Sequence, residues 1–299
     1  MLTPHKLTEV QKQIRPLVRE LFAKAYANQR YDGDLLIVYL HGHYDERNRG
    51  FILSDGRRAS AYATGNGTEG IIFGYQYDVV KKLITAVLHR GSRRQAYAHH
   101  PFPYDQRNAG IEFEAMAYMA IWESDYFIKA LYHVLRLCDG KRYNWKKEIP
   151  TVRYHEFWEK HIHKPLLKHV PTLGNIAGGL YQRDIRNAIA HRKYYCTTGY
   201  IHLFDAGYTH RGLKYLQWER FIMLSLVIYL EFFKALRGYH KLYAYKRRDY
   251  HYGQLIKIVD KDGTVLQNWW MKYLARSDRW IHYDNWFRYE YSWGRMREG

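Results

Sequence analysis

The stretch from Ile111 to Leu137 constrains this chain more than any other. Its apolar residues fall on most faces of a 3.6-residue period, so the spacing predicts a long helix with little polar side to give to water. Such a helix must sit in the middle of a fold, with other elements packed round it. Gly140 ends it. Candidates for the surrounding layer follow the same period. His5 to Asn28 reads as a helix through Leu7, Val10, Ile14, Leu17, Val18, Leu21, Phe22 and Ala25, with Pro16 marking a kink or a restart. Asp78 to His89 reads as a helix with Asp78 as N-cap and Gly91 past its end. Tyr154 to His169, Thr172 to Lys193 and Gln217 to Arg248 complete the set, with Pro171 between the first two.

Short β-like runs interrupt this pattern. Leu35 to Leu40, Gly50 to Leu53 and Gly70 to Gly74, separated by Gly and Asp turns, predict a small N-terminal sheet. Tyr194 to Tyr215 predicts a hairpin after the helix that ends near Lys193, turning at Asp205-Ala206-Gly207. Leu255 to Val265 predicts another, with Asp260-Lys261-Asp262-Gly263 at its tip. The expected fold class is therefore mainly α: a helical bundle with a small β-rich N-terminal insertion and a hairpin after the helix of residues 172–193. Its expected divisions are 1–110, a helical core at 111–248, and an aromatic, basic extension at 249–299 docked on that core. No internal repeat or low-complexity linker separates them, and a hydrophobic content of 47% suffices for one body.

Several classes are disfavoured. The longest apolar run, Phe221 to Leu230, has ten residues and ends at Glu231, short of the roughly 20 a spanning helix needs. The first residues, Met1 to Lys6, form no secretory hydrophobic region. Two cysteines, Cys138 and Cys196, make neither a disulfide framework nor a zinc signature, so a reducing, cytoplasmic setting is expected.

Charge points to the partner. Lys and Arg number 47 against 29 Asp and Glu, a net +18, which calls for a polyanion. Aromatic residues make up 17% of the chain, with 30 tyrosines. Bases stack on aromatic faces while Lys and Arg take the phosphates, so the combination suits single-stranded RNA better than duplex DNA. The competing reading is a basic protein whose tyrosines pack its core. The tail poses the same choice. Trp269, Trp270, Trp280, Trp286 and Trp293 interleave with Lys272, Arg276, Arg279, Arg288, Arg295 and Arg297. Docking is expected, because so many free tryptophans would leave a large apolar patch.

One hexapeptide carries chemistry. Arg186-Asn187-Ala188-Ile189-Ala190-His191 puts a permanent cation, an amide and an imidazole into an otherwise apolar helical segment. The spacing recurs at Arg94 and His99, but that copy lacks the Asn and lies in a loop-like stretch between Gly91 and Pro101. The competing reading of the copy at Arg186 is a basic helix end, with Arg186, His191, Arg192 and Lys193 complementing the dipole. Positions five apart on an ideal helix diverge by about 140°, whereas Asn187 and His191 share a face. Either His191 lies at or beyond the helix end, or a second copy of the helix completes the site.

The hexapeptide resembles the R-N-x-x-x-H motif of the HEPN-domain ribonucleases. The likeness covers the motif and, more loosely, the helices from about Ile111 to Tyr245, but neither the N-terminal hundred residues nor the C-terminal fifty. It implies a HEPN-like helical bundle and metal-independent RNA cleavage with no cofactor. It also implies a two-fold homodimer in which both motif helices line one cleft. A sequence-tolerant ribonuclease must be restrained, so the resemblance implies a regulated toxin or antiviral-defence effector, with an antitoxin or activating partner. One family variant places a Tyr two residues after the His, where a nucleotidyltransferase modifies it. Tyr194 stands three residues on, which argues against such a modifying partner.

The residues fit the chemistry. An imidazole titrates near neutral pH, so His191 can take a proton from the 2′-OH or give one to the 5′-oxygen. Arg186 presents a planar donor fork to phosphate oxygens. Asn187 can orient the imidazole or bond the ribose. Arg183, Arg192 and Lys193 are candidates for flanking phosphates, or for no more than a solvated basic face. The expected products carry a 2′,3′-cyclic phosphate and a 5′-OH. The alternative is a non-catalytic HEPN-like scaffold that binds RNA or protein. The sequence shows no helix-turn-helix or zinc-finger pattern for a DNA-directed factor.

Other motifs are read as structural. Gly65 to Gly70 matches G-x-G-x-x-G, but β-like residues follow rather than a helix, so a tight turn is expected. His41-Gly42-His43, His99-His100 and His161-Ile162-His163 lack carboxylate or cysteine partners at metal spacing, and no metal site is expected. Glu112, Glu114, Glu123 and Asp125 are expected to pair with arginines.

Overall fold

The computed structural model describes residues 4–41, 44–45, 50–51, 111, 114–115, 117–144, 147, 149–150, 153–197, 199–204, 210–246, 254–259, 264–274 and 279–282. The expected helix at 78–89, the strand at 70–74, the Gly65–Gly70 turn, the Arg94–His99 copy, the Asp260–Gly263 tip and the tail beyond His282 lie outside them. Among the described residues the protein is mainly helical, with small antiparallel sheets.

Helix α1 (Pro4–Asn28) passes through Pro16 without a break. Ile14, Val18, Leu21, Phe22 and Ala25 form its buried stripe. That stripe packs on α3 (Asp125–Cys138) and α8 (Tyr215–Lys246), so the first helix belongs to the same body as the central ones. Phe232 is the pivot of this contact, its ring centroid 5.0 Å from Phe22 and 5.3 Å from Phe127. Arg15 adds a fork to the buried Glu231, at 2.9 and 3.1 Å.

The central helix is two helices. Residues 117–122 are helical, then Glu123 and Ser124 interrupt, and α3 begins. Ser124 has extended backbone and its Oγ accepts from the Phe127 amide at 3.1 Å, an N-cap in the middle of an apolar run. Asp139 and a left-handed Gly140 end α3. The Asp139 carboxylate holds Lys141, Lys168 and His169. Its partial burial would raise the pKa, but these three donors outweigh it and hold the group well below the usual carboxylate range.

Leu35 to Leu40 corrects the sequence reading. The run lies in helix α2 (Asp34–His41), not a strand. A short continuous apolar run does not distinguish a buried strand from a buried helix. Leu35, Leu36, Ile37, Val38 and Leu40 are all buried, so this helix is covered by protein on most of its faces. Its neighbours β1 (Tyr44–Asp45) and β2 (Gly50–Phe51) pair antiparallel and are all that the described residues contain of the expected N-terminal sheet.

Residues 154–169 form α4 (Tyr154–Trp158), a π-helical turn (Glu159–His163) and α5 (Lys164–His169). Helix α6 (Pro171–Leu180) then turns back across α5. The crossing depends on two glycines. A Cβ at Gly174 would lie 2.6 Å from the Leu167 backbone nitrogen, and one at Gly178 would run into the His163 ring.

After α7 (Arg183–Ala190) comes an antiparallel sheet of β3 (Tyr194–Thr197), β4 (Tyr200–Phe204) and β5 (His210–Lys214), one strand more than a hairpin. Ile201 and Leu203 face inward and are buried. The long helix α8 follows directly. A second sheet, β6 (Gln254–Val259), β7 (Val265–Leu274) and β8 (Arg279–His282), contains the predicted hairpin and extends it. Ile256, Ile258 and Met271 are buried, and the Tyr273 ring meets His240 of α8 at 5.7 Å. Among the described residues, no helix is long and apolar enough to cross a membrane.

The crossing at Gly174 gives a stability prediction. Gly174→Ala pushes on backbone and is expected to cost about 1–3 kcal/mol. Gly179→Ala, which meets nothing within 4 Å, is expected to be neutral or mildly stabilising. Urea denaturation of both variants checks the difference.

Candidate functional site

The expected single helix over 172–193 is broken at Tyr181 and Gln182, both extended. Packing overrides helix continuity here. The Tyr181 ring wedges against Trp158 at 4.6 Å and Trp122 at 6.3 Å. The buried Tyr118 hydroxyl bridges the break, donating to the Leu180 carbonyl at 3.2 Å and accepting from the Gln182 amide at 3.4 Å. Burial pushes both phenols up, that of Tyr181 to about 12, so both remain neutral hydrogen-bonding groups. The break sets the direction in which α7 starts.

Helix α7 is short and strongly two-sided. Ile185 and Ala188 are buried against the fold, with β4 beside them. Asp184 in the first turn suits the dipole. Arg186 lies half-buried between these faces. Its Nε donates to Glu123 Oε1, and its Nη1 donates to Asn187 Oδ1 at 3.0 Å. The carboxylate comes from the interruption between residues 117–122 and α3. Arg186, Asn187 and Glu123 thus form one cluster, and no described group accepts from Arg186 Nη2. Arg186 and Glu123 are 30% and 31% exposed, so solvent screens the pair and its worth is about 0–1 kcal/mol.

His191 caps the helix. It has left the helical conformation (φ −98°, ψ 10°), and its amide still donates to the Asn187 carbonyl at 3.0 Å. The side chain is exposed. Among the described residues, no hydrogen bond joins His191 to the side chains of Arg186 or Asn187. The structure therefore unites the first two motif residues and leaves the third at the rim. The two residues beyond complete a Schellman motif. The Arg192 amide donates to Ile189 at 3.1 Å and the Lys193 amide to Ala188 at 2.7 Å. The position that glycine favours is held by Arg192, in the left-handed region at φ 51°. Arg192 and Lys193, next to His191, and Arg183, at the opposite end of α7, are all exposed, so basic residues flank the helix at both ends.

A pocket of about 330 Å³ opens beside the start of α7, lined by Gln182, Ile185, Gly212, Leu213, Gln217 and Phe221. Among the described residues, no group of three or more His, Cys, Asp or Glu is placed to hold a metal ion. Two acidic residues of the central segment separate in role. Glu114 is buried and accepts from the Trp218 indole at 2.9 Å, while Glu123 reaches Arg186. The particular partner of Glu123 is not readable from sequence. The Glu123-Ser124-Asp125 run is, as a capping signal inside an apolar helix that marks where a carboxylate leaves the core.

No family model, curated protein or solved structure matches this chain.

Left-handed Arg192 gives a direct test. A non-glycine residue in that conformation costs about 1–2 kcal/mol. Arg192→Gly is therefore expected to raise the thermal midpoint, whereas Arg192→Ala, which keeps the strain, is not. An unchanged midpoint for the glycine variant would show that the turn carries no strain.

Proposed function

We propose that the chain is a metal-independent endoribonuclease of HEPN type, cutting RNA by attack of the 2′-OH on the adjacent phosphate. One observation carries this reading. The Arg-Asn-x-x-x-His residues fold as one short helix capped by His191, whose exposed imidazole is followed by the exposed Arg192 and Lys193, with the exposed Arg183 at the helix start. In this reading His191 moves the proton, Arg186 receives the phosphate charge, and Asn187 holds Arg186 in line through its Oδ1. The three flanking cations seat neighbouring phosphates. Within one chain no hydrogen bond among the described residues joins His191 to Arg186, which favours a homodimer across α7, in which one protomer's imidazole serves its partner's arginine. A restrained toxin or defence effector, held by an antitoxin or released by an activator, is the biological role the motif suggests.

Glu123 refines the proposal. Its carboxylate sits where a phosphate oxygen would bind the Arg186 fork, in a pair weak enough to exchange. The same contact favours a second reading, a HEPN-like scaffold in which Arg186 is purely structural. The test is incubation with RNA in EDTA and identification of the product ends. The enzyme reading expects 2′,3′-cyclic phosphate and 5′-OH ends, and a rate falling about 10²–10⁴-fold in His191→Ala. Arg186→Lys keeps charge but loses the fork, so cleavage should drop while RNA binding is nearly retained. RNA binding with no cleavage would select the scaffold.

A further prediction concerns the carboxylate. Glu123→Gln removes the competing charge and is expected to tighten RNA binding, with a steeper loss of affinity as salt rises because Arg186 then contacts phosphate. Unchanged affinity and salt slope would assign the pair to structure alone.

A further inference from the structure

The sheet that follows His191 carries aromatic rings on its outer face. Along β4, Ile201 and Leu203 point inward, which turns Tyr200, His202 and Phe204 outward. On β3, Tyr195 lies directly across from His202, and Thr197 from Tyr200. The four rings form a row. Centroids are 6.0 Å apart for Tyr200 and His202, 4.6 Å for His202 and Tyr195, and 5.4 Å for Tyr195 and Phe204, with interplanar angles of 33°, 15° and 25°. The His202–Tyr195 and Tyr195–Phe204 pairs are stacked and the Tyr200–His202 pair is tilted, so the row presents its rings along one face of the sheet. A 2.8 Å contact from Thr197 Oγ1 to His202 Nε2 fixes the turn of that imidazole. Tyr195 is 45% exposed and Tyr200 40%. That is a large aromatic surface for a sheet to show to water.

Charge surrounds the row. Lys214 is exposed opposite Tyr200, and Arg192 and Lys193 are exposed immediately before β3. The segments of β3, β4 and β5 contain no carboxylate. Gly212, across from His202, adds no side chain to that part of the face. Stacking surfaces with cations beside them suit a strand whose bases are unpaired, since a duplex keeps its base faces to itself.

We infer that the outer face of β3 and β4 is a stacking platform for single-stranded RNA, with bases laid on Tyr195 and Tyr200 and phosphates held by Lys193 and Lys214. The platform deepens the reading of this chain as one that acts on RNA, and rests on it. β3 begins three residues after His191, so a strand seated on the rings runs toward the imidazole.

The test uses the full chain and a fluorescent 2′-O-methyl single strand, which lacks the attacking hydroxyl and so reports binding without cleavage. Tyr195→Ala and Tyr200→Ala are each expected to weaken binding about 5- to 150-fold, while Tyr195→Phe binds as the native chain does. A 2-aminopurine in the strand should be quenched on binding, and less so by the alanine variants. Both tyrosines are exposed, and thermal melts of the variants check that the fold persists. Alanine variants that bind like the native protein would overturn the platform, as would a Phe variant as weak as Ala. So would alanine variants that change only the oligomeric state, which would make the face a protein interface. Loss of cleavage in His191→Ala is scored separately. Stacking on the uncleavable strand with no cleavage of ordinary RNA would sink the nuclease reading and leave the platform standing.

Discussion

The interruption at Glu123 and Ser124 organises the rest of the molecule. A helix that stops leaves carbonyls without partners, and here a neighbouring side chain takes that of Trp122. The Tyr154 hydroxyl donates to the Trp122 carbonyl at 2.6 Å, and the Trp122 indole donates to Ser225 Oγ of α8 at 3.0 Å. The Trp122 ring meets Trp158 edge-on at 5.2 Å. One residue at the end of a helix thereby ties α4 and α8 to the centre. Tyr118, one turn earlier, ties down the joint between α6 and α7. The next residue, Glu123, is turned outward to Arg186. Core and candidate site are positioned by the same break.

That arrangement explains the character of the site. Buried anchors hold α7 through Ile185 and Ala188, while its polar residues stand where water still reaches them. A fully buried Arg–Glu pair would be hard to open, because removing one partner strands a charge in low dielectric. A pair about one-third exposed does not have that rigidity. The helix is held firmly and its charged surface loosely, which suits a group that must accept a phosphate and release it.

The sequence makes the helices legible and their interruptions illegible. The stripe of α1 and the extent of α8 follow from period alone, because each presents a consistent apolar set. The break at 181–182 does not, since it depends on Tyr181 fitting between Trp158 and Trp122 and on a hydroxyl 64 residues away. Leu35 to Leu40 misleads for the opposite reason: its residues have no polar face to show a period. At the site, Arg186 and His191 stand five apart and cannot share a face of a regular helix. A helix end at His191 is one of the two solutions to that offset, the other being a second copy of the helix, and the sequence leaves both open; the helix ends at Ala190 with His191 as its cap. The Glu123 contact is tertiary, made by a side chain 63 positions away, and no local pattern names such a partner. The left-handed Arg192 is invisible in sequence because the usual marker of that turn is glycine.

The contact between α1 and α8 has a consequence for how this protein is made. The first helix buries its stripe against one of the last elements of the chain, and Arg15 finds Glu231 across 216 residues. During synthesis, at about 5–20 residues per second, α1 leaves the ribosome with its partner still unmade. For roughly ten to forty seconds Ile14, Val18, Leu21 and Phe22 have no α8 to cover them. Closure over so long a loop is also slow once the chain is complete. The apolar stripe that seals the finished bundle is, in the nascent chain, a surface for a chaperone to hold.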